Sequence, residues 1–213
     1  AGGNLSVAFE DAAGAGTQTA GLKFGGRGTP TQVTEKYDGS SWTTSNNMNN
    51  GRGYLGGAGI QTSALAYGGY MPPGYFTATE QYDGTSWTTL SATMGTGIRQ
   101  FGGTGATSSG ALAFGGESSG TAYLGTTEEY NSSITAVTAG AWASGGTLGT
   151  ARYGGGFGMT QDTAAIAGND QGGGATGKTE LYDGTSFTES GDLTQVGYRR
   201  ALTGTQTAGL AIG

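Results

Sequence analysis

One block of residues occurs four times along the chain, and that recurrence restricts the fold more than any other feature. Thr34-Glu35-Lys36-Tyr37-Asp38-Gly39-Ser40-Ser41-Trp42-Thr43-Thr44 comes back as Thr79-Glu80-Gln81-Tyr82-Asp83-Gly84-Thr85-Ser86-Trp87-Thr88-Thr89. A third copy is Thr179-Glu180-Leu181-Tyr182-Asp183-Gly184-Thr185-Ser186-Phe187-Thr188, and a worn one is Thr127-Glu128-Glu129-Tyr130-Asn131-Ser132-Ser133. The four tyrosines stand 45, 48 and 52 residues apart. Units of this length in tandem bury their apolar faces against neighbouring units, so the repeat implies an array of small supersecondary elements.

A second element precedes each block: Gly21-Leu22-Lys23-Phe24-Gly25-Gly26, Ala64-Leu65-Ala66-Tyr67-Gly68-Gly69, Ala111-Leu112-Ala113-Phe114-Gly115-Gly116 and Ala164-Ala165-Ile166-Ala167-Gly168-Asn169. Gly209-Leu210-Ala211-Ile212-Gly213 is a fifth. Before it runs a Gly-rich stretch opened by Arg52, Arg99, Arg152 or Arg199-Arg200, with Glu10-Asp11 near the first. Each unit therefore reads as four short strands. Strand one is the Gly-rich stretch, such as 52–59, and strand two is the nearly continuous apolar run of a strand covered on both faces. Strand three alternates, as a strand with one wetter face does. Strand four starts at Ser-Trp-Thr, after an Asp-Gly pair suited to a tight hairpin turn. No long segment carries a helical period, so helix is expected to be negligible. The units fall at about 6–44, 50–89, 97–143, 150–189 and, in part, 197–213 of one domain over 1–213. The worn copy departs from the rest at 131–150, where an insertion displaces Trp142 and blurs strand four.

Composition agrees with an all-β chain that packs. Glycine supplies 47 of 213 residues, against a usual share of about 7%, while the 21 aromatic side chains recur at fixed places. Three prolines without a Gly-x-y period exclude collagen. The net charge of −6 and the lack of a Lys/Arg run leave no nucleic-acid footprint. No apolar run reaches the ~20 residues of a membrane-spanning helix. The opening Ala1-Gly2-Gly3-Asn4 does not read as a signal peptide, leaving secretion of a mature form, phage assembly and trimming open. Cysteine and histidine are absent, which removes disulfides, the commonest general base and the commonest metal ligand.

Four-stranded units in tandem describe a β-propeller. A Gly-Gly pair, an aromatic some 13 residues on and a Trp about five residues beyond it, here Gly68-Gly69, Tyr82 and Trp87, resemble the kelch repeat. The strings at 79–88 and 59–69 are more similar still to Gly-rich kelch-like repeats of marine bacteriophage tail-fibre and virion proteins. Counting five copies of strands one and two but four of strands three and four gives five blades of short antiparallel strands, the last incomplete. The resemblance implies a non-enzymatic adhesin on a virion surface or outside the cell, whose partner is a host-surface glycan or protein. The alternative is an architectural fibre or capsid-decoration protein, which would meet other virion chains or its own copies through the unpaired 205–213 edge.

Strands antiparallel within a unit put the two-to-three loops (27–33, 70–77, 117–125, 169–177) on one face with the four-to-one loops (45–51, 90–96, 143–150, 189–196). These loops vary, and variable loops on a repetitive scaffold are where binding concentrates. Tyr70-Met71-Pro72-Pro73-Gly74-Tyr75-Phe76 is the most distinctive, with Tyr123 in the equivalent loop of the next unit. Exposed aromatics suit recognition of sugars or proteins. Tyr70, Tyr75, Phe76 and Tyr123, with Arg52, Arg99 and Arg152, are therefore the candidate ligand-binding residues.

Catalysis is weighed against simpler roles. The copper radical oxidases that share the kelch fold need Cys and His, which this chain lacks. Asp83-Gly84-Thr85-Ser86-Trp87 looks like a sialidase Asp-box but is one residue short, and the arginines, a possible carboxylate-binding cluster, repeat with the scaffold. Pairing of those arginines with backbone or with Glu35, Glu80, Glu128 and Glu180 is the simpler role. Asp38, Asp83 and Asp183 supply one carboxylate per hairpin, too few for calcium, and read as turn formers. Trp42 and Trp87 read as packing residues. The glycines at 153–158 lack a phosphate loop's Lys-Ser/Thr and read as inner strand, where sheets approach closely. No cofactor, metal or catalytic residue is expected.

Overall fold

The computed structural model describes the chain apart from residues 1, 29–30, 120–122, 133–139, 153–155, 161, 169–173, 197–200, 206 and 213. Arg199-Arg200 and most of the insertion after Asn131 thus lie outside the described residues. Among the described residues there is no helix.

The first four-stranded sheet contains β1 (Ala13–Thr17), β2 (Ala20–Phe24), β3 (Thr34–Tyr37) and β4 (Trp42–Ser45). The second contains β5 (Gly56–Ile60), β6 (Ser63–Tyr67), β9 (Ala78–Tyr82) and β10 (Trp87–Thr93), with a small hairpin of β7 (Tyr70–Met71) and β8 (Gly74–Tyr75) in its two-to-three loop. The third contains β11 (Gly102–Thr107), β12 (Gly110–Phe114), β13 (Thr127–Asn131) and β14 (Ala141–Ser144). The fourth contains β15 (Gly156–Thr160), β16 (Thr163–Ala167), β17 (Thr179–Tyr182) and β18 (Phe187–Glu189), and β19 (Ala201–Thr205) pairs with β20 (Ala208–Ile212) alone. Every pairing is antiparallel between sequence neighbours of the unit. Strand one begins at Gly56 rather than at Arg52: the arginine sits in the approach to the strand.

The first strands pack in succession, β1 on β5, β5 on β11, β11 on β15 and β15 on β19. Glycine makes this approach possible. A Cβ on Gly57 would stand 2.7 Å from the Gly14 carbonyl oxygen and 2.8 Å from the Phe24 ring. The second strands carry the core, with Leu22, Phe24, Leu65, Tyr67, Leu112, Phe114 and Ile166 all buried between sheets.

Strand four ties each sheet to the one before. The Trp87 ring lies 4.9 Å from Phe24 and 5.0 Å from Tyr82, and its Nε1–H donates to Thr34 Oγ1 at 2.9 Å. Trp142 repeats the bond to Thr79 Oγ1 at 3.0 Å. The expected displacement of Trp142 is therefore corrected. It pairs with Tyr130 as Trp87 pairs with Tyr82, since the added residues fall in the chain between β13 and β14. In the fourth sheet Phe187 holds the tryptophan's place opposite Tyr182 and has no N–H to give, and Thr127 Oγ1 is left buried without a partner.

The Asp-Gly turns follow from their residues. Asp38 Oδ1 accepts the N–H groups of Ser40 and Ser41 at 2.8 Å, and Asp83 and Asp183 repeat the pattern. These bonds hold all three carboxyls below the usual range. Gly39, Gly84 and Gly184 sit at φ of 95°, 96° and 92°, a region that glycine enters without strain.

Phe187→Trp supplies the missing donor to Thr127. It is expected to raise unfolding stability by about 1 kcal/mol, the net worth of one buried hydrogen bond, and urea denaturation of the two proteins checks this.

Candidate functional site

One carboxylate in every complete sheet reaches from strand three to the loop that leads into that sheet. Glu35 accepts the N–H of Ser6 at 2.8 Å. Glu80 accepts those of Asn49 at 2.8 Å and Asn50 at 3.2 Å. Glu128 accepts those of Gly95 at 2.7 Å and Thr96 at 3.1 Å, and Glu180 those of Gly149 and Thr150.

Two of these carboxylates hold a buried arginine. Arg52 Nη1 meets Glu80 Oε1 at 2.5 Å with both side chains wholly buried, while Nε donates to the Gly68 carbonyl at 2.7 Å and Nη1 also to that of Asn50 at 2.9 Å. Arg152 pairs with Glu180 in the same way and donates to the Lys178 carbonyl. Both guanidinium groups are engaged beneath the surface, so the expectation that Arg52 and Arg152 contact a ligand is corrected. Phe76 is half-buried, and its ring lies 5.3 Å from the Arg52 guanidinium carbon.

Arg99 is not the counterpart of Arg52. The carbonyls of Arg52, Ile98 and Arg152 accept the N–H groups of Gly26, Gly69 and Gly116 respectively, so Ile98 holds the arginine's place in the third sheet. Arg99 stands one residue further along, and that single step turns it out of the core. Its guanidinium carbon lies 4.8 Å from the Tyr70 ring, 5.4 Å from Tyr75 and 5.8 Å from Tyr54, and Nη2 pairs with Glu117 at 2.8 Å.

Around Arg99 lies a cavity of about 280 Å³, lined among others by Arg27, Tyr54, Tyr70, Met71 and Pro72. Arg27 donates to the Tyr54 hydroxyl at 2.6 Å and pairs with Glu10 at 3.2 Å. Tyr54 holds a left-handed φ of 56°, unusual for an aromatic residue. Burial is the chief cause that raises the Tyr54 phenol, and Asp11 adds to it. Tyr75 donates to Glu117 at 3.2 Å, with its phenol raised first by burial and then by that carboxylate. Both phenols are therefore protonated donors at neutral pH. The arrangement offers guanidinium and hydroxyl donors beside aromatic faces and a methionine, the mix of apolar wall and few polar groups that small-ligand sites use.

Of the sequence candidates, Tyr70, Tyr75 and Arg99 come together here. Tyr123 stands in the neighbouring loop, bridged through its backbone to Glu117. Arg27, Tyr54 and Glu117 were not singled out by the sequence reading. Tyr54 was hidden inside a stretch read as strand one, although an aromatic in a Gly-rich approach was the available signal.

The first sheet meets its carboxylate differently. Lys23, on β2 opposite Glu35, is buried, places Nζ 3.3 Å from the centre of the Phe9 ring and donates to the Val33 carbonyl. Burial pulls its ammonium down to about 8, opposed in part by Glu35.

No family model and no curated protein matches this sequence. Among solved structures, the one titled "Structure of YjhT" aligns over 93% of this chain and 70% of its own, with a TM-score of 0.75 and 13% identity. Identity at that level speaks for a shared fold alone.

Two expectations follow. Arg52→Ala strands the Glu80 carboxylate in the interior and is expected to cost about 3–5 kcal/mol, whereas Arg99→Ala costs about 1 kcal/mol or less; thermal and urea unfolding distinguish them. The second concerns pH. The unfolded chain keeps the Lys23 proton to about pH 10.4 and the folded chain releases it near 8. Between those values the unfolded state binds more protons, so stability rises with pH from about 8 to about 10. Above about pH 10 tyrosines reverse the trend, since burial and Glu129 push Tyr182 up to about 12 and the unfolded phenol ionises first. Lys23→Met is expected to flatten the rise, as read from denaturation midpoints across that range.

Proposed function

We propose that the five successive sheets are blades of a kelch-like β-propeller, the last incomplete, and that the chain is a non-enzymatic recognition module of a phage tail fibre or virion surface. On this reading it binds a host-surface glycan or protein through its loop face, at the virion surface or otherwise outside the cell. The observation that carries the recognition site is the cavity between Arg27 and Arg99, roofed by Tyr54 and Tyr70. The two-to-three and four-to-one loops meet there, and its tyrosines lie partly exposed rather than packed into a sheet. A volume near the low end of the ~300–1,000 Å³ usual for small-ligand sites suits one sugar ring or one side chain. The phage assignment rests on the resemblance of the repeats.

A non-enzymatic role is supported by what the arginines do. Arg52 and Arg152 are committed to Glu80 and Glu180, so they do not converge with Arg99 on one substrate carboxylate. Turnover of a fluorogenic sialoside is the result that overturns this part.

The alternative reading is architectural, with the chain joining other virion chains or its own copies through the 205–213 strand edge. Concentration-dependent assembly that Leu210→Asp abolishes, without any cell or glycan binding, favours it.

For the recognition reading, host-cell and glycan-array binding is expected to weaken at least about tenfold in Tyr70→Ala and in Arg99→Ala, the effect of losing a central contact. Their melting temperatures stay close to the parent's. Undiminished binding in both variants overturns the assignment of this cavity.

A further inference from the structure

The repeat supplies its own internal control for a second opening. In the second sheet Asn49 lays its side chain across strand four, with Nδ2 donating to the Trp87 carbonyl at 3.1 Å and to Thr89 Oγ1 at 3.2 Å. Its backbone N–H meanwhile donates to Glu80. In the third sheet the same backbone bond to Glu128 comes from Gly95, which has no side chain to follow it. Trp142 and Ser144 stand where Trp87 and Thr89 do, opposite Tyr130 and Glu128 as those stand opposite Tyr82 and Glu80. A groove of about 430 Å³ results, lined by Gly95, Thr96, Glu128, Trp142, Ser144 and their neighbours.

The charge of this groove differs from that of its sister sites as well. Glu80 and Glu180 are each neutralised by a buried arginine. Ile98 replaces that arginine in the third sheet, and among the described residues no lysine or arginine pairs with Glu128. The groove thus combines a carboxylate with no cationic partner among the described residues, a main-chain carbonyl and a hydroxyl that Asn49 satisfies in the second sheet, and the indole of Trp142. A primary ammonium carries three N–H donors and the missing charge, and a sugar ring beside it has a face to lay on an aromatic wall.

We propose that this groove between the second and third sheets binds a primary ammonium group of an amino sugar, held by Glu128, the Trp142 carbonyl and Ser144. The ligand class rests on the glycan reading above, but the site does not involve Arg99. Arg99→Ala therefore leaves amine binding unchanged, and the two readings fail separately.

Glucosamine, N-acetylglucosamine and glucose are titrated at neutral pH into the full chain, with amide signals of Gly95, Thr96 and Ser144 as the readout. Glucosamine is expected to shift them, and the two uncharged sugars to bind about tenfold more weakly or worse, as loss of a charge-assisted hydrogen bond requires. Gly95→Asn rebuilds the side chain of the sister site. Gly95 has no left-handed φ, and a Cβ there stands 3.5 Å from Glu128 Oε2, an ordinary contact. This variant is expected to melt no lower than the parent and to lose glucosamine binding, and Glu128→Gln to weaken it. Equal affinity for all three sugars, no shift with glucosamine, or undiminished binding in a folded Gly95→Asn protein overturns the proposal.

Discussion

The carboxylate that follows the threonine of strand three is the contact on which the rest of the architecture depends. Glu35, Glu80, Glu128 and Glu180 each accept backbone N–H groups about 30 residues earlier, in the loop that carries the chain into their own sheet. That loop is an irregular crossing between sheets, whose N–H groups have no ladder partner. In the second, third and fourth sheets a charged acceptor satisfies two of them at once and roughly doubles the strength of each bond. The crossing is thereby fixed in position, and the first strand that follows it starts in register with its sheet. A chain with 34% hydrophobic residues needs such devices. The indole-to-threonine bonds of Trp87 and Trp142 supplement the apolar contact between sheets in the same way.

What occupies the space beside each carboxylate is not fixed, and that freedom generates the candidate sites. Arginine enters from the crossing loop in the second and fourth sheets, lysine from strand two in the first, and isoleucine takes the arginine's place in the third. The third case has two consequences. The cation moves one residue along the chain and emerges on the surface as Arg99 among three tyrosines. Glu128 has no cationic partner among the described residues and lines a groove. Both openings therefore trace to the same unit, the one whose repeat is most worn in sequence.

This explains how far the sequence was legible. The repeat, the four-strand unit, the order of the strands and the turn role of Asp38, Asp83 and Asp183 follow from residues that packing or turn geometry demands in every copy, and such residues show as periodicity. Which surface those units build around Arg99 does not, because it hangs on a one-residue offset. Arg52, Arg99 and Arg152 look alike in a string of letters, all standing shortly before a Gly-rich strand. Only hydrogen bonds from Gly26, Gly69 and Gly116 reveal that Ile98, not Arg99, is the repeating position. Tyr54 was not legible because strand one starts at Gly56, four residues later than the 52–59 expected from the sequence.

The electrostatic character of the Arg99 cavity narrows what recognition there can look like. Arg99 faces Glu117, and Arg27 faces Glu10 and Asp11, on a chain of net charge −6. Fields from paired charges cancel beyond a Debye length of about 8 Å, so the site exerts little long-range pull on an anionic polymer. On the proposed recognition role, selectivity comes at contact, from the direction of guanidinium and phenol N–H and O–H groups and from the faces of Tyr54 and Tyr70. Directional donors over aromatic faces match a sugar's alternation of hydroxyl edge and C–H face better than they match a diffuse charge. A repetitive scaffold suits that task, because rigid sheets hold the donors in place while the loops between them vary.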